Sequence, residues 1–222
     1  MKLMTNNEVT VVDHGLCNMF NITCALEEAG ARVVIARDAS EITQASRLIL
    51  PGVGAFEPAM RTIREMGFQE AILTHATSGK PLLGICLGMQ LLMTDSQENG
   101  RHKGLGLIGG SALKFPTSAQ NQSACKIPQI AWNTLHNNST DTLAWNDPLL
   151  TGVPEFAPVY FVHSYYVVTD APQDTVAYAE YAGVRYSAVV RRANVWGAQF
   201  HPERSAKHGL KMLANFVEQK LP

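Results

Sequence analysis

The chain has 222 residues, of which 46% are apolar, enough for a substantial core and too many for a disordered polymer. Eighteen Lys and Arg against nineteen Asp and Glu leave a net charge of -1, with no long run of either sign. A protein that neutralises nucleic-acid phosphates needs a basic face, so nucleic acid is not an expected partner. The charged fraction of 17% falls below the usual ~25%, as expected of a large core or of a surface partly covered by a partner. The first residues lack the apolar stretch of a secretory signal, and the longest apolar segment, Pro81 to Met93, is too short to span a bilayer. Cys17, Cys24, Cys86 and Cys125 are scattered without a C-x-x-C pair, so neither a disulfide framework nor a zinc site is expected. These features predict a cytoplasmic protein without a membrane partner.

In chain order, Val9 to Val12 reads as a strand. Asn18 then caps a helix with Ile22, Ala25, Leu26 and Ala29 on one face, and Gly30 stops it. Arg32 to Ala36 is the next strand, Ser40 to Ala45 a short helix, and Arg47 to Leu50 a third strand. Pro58 suits the first position of a helix closed by Gly67, and Phe68 to Thr77 forms another closed by Gly79. Pro81 to Ile85 is a fully apolar strand, followed by a helix from about Leu87. Apolar strands without polar alternation, separated by helices, predict an α/β fold with an open parallel sheet covered on both faces. Beyond it, Gly104 to Gly110 reads as a loop and Ser118 to Ser123 as an exposed polar turn. Val159 to Val168, Thr175 to Tyr181, Tyr186 to Arg191 and Val195 to Phe200 read as strands. A last helix, Ser205 to Gln219, carries Leu210, Leu213 and Val217 on one stripe. With no repeat or dividing linker, a single domain over residues 1–222 is expected.

Gly84-Ile85-Cys86-Leu87-Gly88 has the form G-x-C-x-G between an apolar strand and a helix, the setting of a nucleophile elbow. Glycines permit the sharp turn that lifts a thiol above the carboxyl edge of the sheet, beside a helix N-terminus that favours thiolate. The competing account is a buried cysteine with two incidental glycines. A thiol nucleophile needs a base and a group to orient it. His201-Pro202-Glu203 follows a strand and can supply both, with the alternative that Glu203 only caps the last helix. Pro51-Gly52-Val53-Gly54 follows the third strand, and its amides with that of Leu87 could form an oxyanion hole. Taken alone, it is an ordinary strand-to-helix turn. His14, His75, His102, His136 and His208 lack partner spacing and read as solvated or core residues. Cys17 and Cys24 read as packing residues of the first helix, and Trp132, Trp145 and Trp196 as core or interface anchors. The run GLGLIGG at 104–110 lacks dinucleotide-loop spacing.

Together, LPGVGAF at 50–56, GICLGMQLL at 84–92, GLGLI at 104–108, YFVHSYY at 160–166 and GAQFHPERS at 197–205 resemble the class I (triad-type) glutamine amidotransferases. The motifs are most similar to the glutaminase subunits that supply ammonia for imidazole glycerol phosphate and AICAR in histidine biosynthesis. The resemblance implies a flavodoxin-like sheet with additional antiparallel strands in the C-terminal half. It implies Cys86 as nucleophile, His201 as acid/base and Glu203 as its orienter, with neither metal nor organic cofactor. Gln90, Glu98 and the backbone at Ser164 and Tyr165 match positions that hold the α-amino and α-carboxylate groups of L-glutamine. Val53 and Gly54 match an oxyanion strand thought to rearrange on activation. Asn18, Trp132, Asn133 and Arg204 match the docking face for a (β/α)8-barrel cyclase, which completes a heterodimer and receives ammonia through an internal channel. Around that face His14, Cys17, Gln129 and Ala131 depart from the family's D-Y-G-x-G-N and P-H-x-G-W-N patterns. A paralogue feeding ammonia to an amidino sugar of surface polysaccharide therefore stays open. So does a non-catalytic regulatory subunit.

Overall fold

A computed structural model describes residues 7–116, 125–138, 145 and 147–219. The polar stretch Ser118 to Ser123 lies outside the described residues. The first half runs β1 (Glu8–Val12), α1 (Met19–Glu28), β2 (Arg32–Ala36), α2 (Ala39–Gln44), β3 (Leu48–Gly52), α3 (Phe56–Glu65), α4 (Phe68–Thr77), β4 (Leu82–Cys86) and α5 (Leu87–Leu91). The second half adds β5 (Asp95–Ser96), β6 (His102–Lys103), β7 (Gly110–Lys114), β8 (Gln129–Thr134), β9 (His136–Asn137), β10 (Pro158–His163) and β11 (Tyr165–Thr169). It ends with β12 (Thr175–Tyr181), β13 (Val184–Arg192), β14 (Val195–Ala198) and α6 (Ala206–Val217).

Strands β2-β1-β3-β4-β14 lie side by side, all parallel, in the order of a flavodoxin-like sheet. Antiparallel β13, β11 and β7 extend it beyond β14, as expected for the C-terminal half. The period of two along each parallel strand builds both cores. Val9, Val11, Ile49, Leu83 and Ile85 meet Ile22 and Leu26 of α1 and Leu213 and Phe216 of α6. The intervening Val12, Leu48, Leu50 and Leu82 share the other core with Ile42, Met60, Ile63, Phe68 and Ile72 of α2–α4. No helix among the described residues is long and apolar enough to cross a membrane.

Local signals explain most boundaries. Asn18 accepts the Asn21 N–H at the start of α1, and Asp38 and Glu41 form a capping box on α2. Helix α3 starts at Phe56, two residues before Pro58. Proline is tolerated there because first-turn amides have no partner inside the helix. Its leading amide, Phe56 N–H, donates 2.7 Å to the Glu98 carboxylate. Residues 159–168 are two strands, not one: β10 pairs with β8 in a separate small sheet, whereas β11 joins the main sheet beside β7. The break falls at Ser164. In α6 the buried face is Gly209, Met212, Leu213, Phe216 and Val217, with Leu210 only half-buried at its margin. Cys24 is exposed because it sits about half a turn from the Ile22–Leu26 stripe, so it does not pack α1 as expected.

Candidate active site

Three neighbouring parallel strands, β3, β4 and β14, deliver the sequence-selected groups to one sheet edge. At the end of β4, Cys86 has φ 54 and ψ -109, a backbone conformation that L-residues with a Cβ rarely adopt. Such a residue costs of order 1–3 kcal/mol and persists only where its surroundings hold it. Here they do. A Cβ on Gly84 would lie 2.7 Å from the Gly88 carbonyl oxygen, and one on Gly88 would lie 1.8 Å from that of Leu50. The two glycines therefore let α5 pack directly against β3 and β4, which fixes the turn between them. The Cys86 Sγ lies 3.8 Å from the Val162 carbonyl and 4.0 Å from the Gln199 side-chain amide nitrogen.

His201 follows β14, and its Nδ1 is 2.7 Å from Glu203 Oε1, with both side chains nearly inaccessible to solvent. The turn is anchored at several points. His201 N–H donates to the Tyr160 carbonyl, and the Ser205 hydroxyl accepts from Tyr160 N–H and donates to the His201 carbonyl. Gly209 brings α6 so close that a Cβ there would meet the Pro202 oxygen at 1.9 Å. Burial pushes the imidazole pKa down, but the neighbouring Cys86 sulfur and the Glu203 carboxylate outweigh it and raise the pKa to about 10. The ring is thus cationic at neutral pH. A thiol held beside a carboxylate-oriented imidazolium can act as a nucleophile with its own proton donor.

These groups border a cavity of ≈ 280 Å³ that Val53, Gly54, Gln90, Glu98, Ser164 and Tyr165 also line. The four substrate-binding candidates are therefore brought together. The Gln90 amide nitrogen donates 2.9 Å to the Tyr165 carbonyl, and the Ser164 carbonyl accepts from Phe115 N–H. The oxyanion candidates divide. Leu87 sits at the start of α5 beside Cys86, but Val53 N–H donates 2.9 Å to the Leu16 carbonyl and is not aimed into the cavity in this conformation. His14 also holds this loop, through Nε2 at 2.7 Å from the Pro51 carbonyl.

Residues 10–220 match the family model described as glutamine amidotransferase class-I. The chain belongs to the class-I glutamine amidotransferases. It is 42% identical over 208 residues to the imidazole glycerol phosphate synthase subunit HisH of Desulfitobacterium hafniense (strain DSM 10664 / DCB-2), covering 94% of this chain and 92% of that protein. It is 43% identical over 209 residues to the HisH subunit of Geobacillus thermodenitrificans (strain NG80-2), covering 94% of each. Among solved structures, the fold is similar to a glutamine amidotransferase at TM-score 0.69 and 17% identity, covering 95% of this chain and 97% of that one.

The amidotransferase chain places its docking candidates unevenly. Trp132 of β8 is 52% exposed, faces Tyr160 of β10 edge-on, and the Arg204 guanidinium lies over the other partner of that ladder, the Tyr160 ring, at 4.5 Å. Ile130 is exposed on the same alternation of β8 as Trp132. Asn18 caps α1, which packs against the turn carrying Arg204. Asn133 falls on the opposite alternation and binds the Glu180 carbonyl. Of the remaining tryptophans, Trp196 is buried and Trp145 donates to the Val153 carbonyl, both as structural anchors.

The sequence reading missed His163, which lines the amidotransferase cavity. Burial lowers its pKa to about 4, so the ring is neutral at pH 7. Its Nδ1 faces the Tyr165 carbonyl at 2.8 Å and must carry the proton, since a carbonyl only accepts. The unprotonated Nε2 is buried without a hydrogen-bond partner among the described residues. The reading also missed Gln199, a fully buried amide beside Cys86. A glutamine in an otherwise apolar run was the available signal, because a buried amide must find partners.

Proposed function

We propose that this chain, acting as one domain, is the glutaminase subunit of an imidazole glycerol phosphate synthase. One observation carries the chemistry: the strained Cys86 thiol lines the same cavity as an imidazole that Glu203 holds at 2.7 Å. The Cys86 thiolate adds to the side-chain amide carbon of L-glutamine, and the imidazolium of His201 protonates the amide nitrogen. The C–N bond breaks, releasing ammonia and leaving a γ-glutamyl thioester. Neutral His201 then takes a proton from water as its oxygen attacks the thioester. The C–S bond breaks, glutamate leaves, and the thiolate–imidazolium pair is restored. Leu87 N–H and the Val53–Gly54 backbone stabilise the oxyanion once the Val53 amide leaves Leu16. Gln90, Glu98, Ser164 and Tyr165 hold the amino-acid end of the substrate.

The HisH names of the relatives support the pathway, and the exposed Ile130, Trp132 and Arg204 support a docked synthase partner. That partner, a (β/α)8-barrel cyclase in this reading, would take ammonia before it is protonated in solvent. The test mixes this chain with the barrel cyclase of its own genome and follows imidazole glycerol phosphate formed from glutamine. Glutamate release should rise with the cyclase present. A cyclase that uses added ammonium salt but no glutamine overturns the pathway, as does stimulation only by an amidino-sugar synthase.

The raised pKa of His201 gives a second expected result. The imidazolium is lost as pH rises through about 10, and with it the proton donor for the leaving nitrogen. Glu203→Gln removes a charge that holds that value up, so the alkaline limb of kcat/KM moves to lower pH. The rate itself should fall roughly 10²–10⁴-fold, as when a triad carboxylate is replaced elsewhere. The pH profile of glutamine hydrolysis measures both effects.

A further inference from the structure

We propose that Gln199 is a positioning residue for this reaction: it fixes the polarity of the Gln90 amide and aims an N–H donor at the Cys86 sulfur. The inference rests on the glutaminase reading above. Its starting point is the Tyr165 carbonyl, which can only accept hydrogen bonds. The Gln90 atom 2.9 Å from that oxygen must therefore be Nε2. The same Nε2 is 3.2 Å from one side-chain atom of Gln199, which must then be Oε1. The remaining Gln199 atom, 4.0 Å from Cys86 Sγ, is consequently the NH₂ group. One backbone carbonyl thus sets the direction of two amides and ends in a donor facing the reacting sulfur.

The chain of bonds has two consequences. Gln90 uses its amide hydrogens on Tyr165 and Gln199, leaving Oε1 as the acceptor offered to the cavity it lines. Flipping that amide would present a donor to the substrate's cationic α-amino group, so its orientation decides glutamine affinity. At the sulfur, the Val162 carbonyl suits a protonated thiol, whereas the Gln199 side-chain N–H suits a thiolate. Gln199 is fully buried, its backbone N–H donates 2.9 Å to the Ala188 carbonyl, and its side-chain Oε1 is held by Gln90, so the side-chain donor does not face water. The two roles are separable because one end of the amide serves each.

The test uses the full chain, with the synthase subunit present for kinetics and absent for alkylation. Gln199→Glu in its ionised form keeps an acceptor for Gln90 but sets a carboxylate oxygen, not a donor, against the sulfur. Its KM for glutamine should stay within about twofold, while kcat and the rate of Cys86 alkylation by iodoacetamide at pH 7 fall about 10- to 100-fold. Gln199→Met removes both ends, so KM should rise as well. Wild-type alkylation rates in either folded variant overturn the inference, and so do kcat and KM changes that are the same in both. Should neither variant fold, the unsubstituted chain decides: the Gln199 side-chain NH₂ resonances must shift as the Cys86 sulfur ionises, and invariant resonances overturn the proposal. Absence of glutamine hydrolysis by the unsubstituted complex would instead overturn the glutaminase reading, leaving the alkylation and resonance results to judge the placement of Gln199.

Discussion

Cys86→Ala is expected to lower glutamine hydrolysis by roughly 10⁴- to 10⁶-fold, the scale seen when a nucleophile that works as a unit with its base is removed. No other thiol can substitute, because Cys17, Cys24 and Cys125 are not among the residues lining the cavity. Alanine retains a Cβ at φ 54, so the backbone strain persists and stability should change little. Cys86→Gly separates strain from chemistry. Glycine accepts positive φ readily, and relief of ~1–3 kcal/mol of strain is partly offset by ~0.5–1 kcal/mol of lost backbone entropy. A net gain of about 1 kcal/mol corresponds to ~2–4 °C in Tm for a chain of this size. The expected result is an inactive protein that melts higher than the wild type. Thermal unfolding alongside glutamate release reads both. A Cys86→Gly variant that melts lower would show that the turn is not strained, and residual hydrolysis near the wild-type rate would exclude Cys86 as the nucleophile.

The same turn shows what the sequence could and could not reveal. Strands β1, β3 and β4 were legible because short β-branched or apolar runs alternate with helices whose ends carry Asn, Pro or Gly signals. G-x-C-x-G was legible for the same reason: strand, glycine, thiol, glycine and helix follow one another locally. Residues 159–168 were not, because β10 and β11 share the same β-branched and aromatic composition on both sides of Ser164. The switch between sheets is set by their partners β8 and β7, which lie far away in the chain. Strand β8 itself was hidden by the exposure of alternate residues Ile130 and Trp132 around a polar-rich sequence. Gln199 and His163 were missed for a different reason. Their significance lies in bonds to Gln90, Cys86 and Tyr165, and those bonds depend on tertiary placement. Likewise, Val53 could be assigned to the loop from spacing, but not the direction of its N–H toward Leu16.

The glycine after the elbow gives the largest expected structural effect. In Gly88→Ala, the added Cβ would sit 1.8 Å from the Leu50 carbonyl oxygen and 2.8 Å from its carbon. Both are backbone atoms of β3, a fully buried strand between β1 and β4, so neither can rotate aside as a side-chain tip would. Helix α5 must move away from β3 to make room. The cost should be on the order of 3 kcal/mol or more, the upper range for overpacking, equivalent to a fall of ~6–12 °C in Tm. Gly67→Ala supplies the comparison. Gly67, unlike Gly88, has positive φ, at 70, and a Cβ there meets nothing within 4 Å. Its cost is confined to ~1–2 kcal/mol of local backbone strain, with glutamine hydrolysis unchanged. In Gly88→Ala, by contrast, displacement of α5 carries Cys86 and the Leu87 N–H with it. A shift of about 1 Å in reacting groups can cost ~10²-fold in rate, so kcat/KM should fall at least that far in protein that is still folded. Measuring hydrolysis well below the lowered Tm separates lost geometry from lost protein. Wild-type activity in folded Gly88→Ala would mean that the close approach of α5 to β3 does not set the position of the thiol.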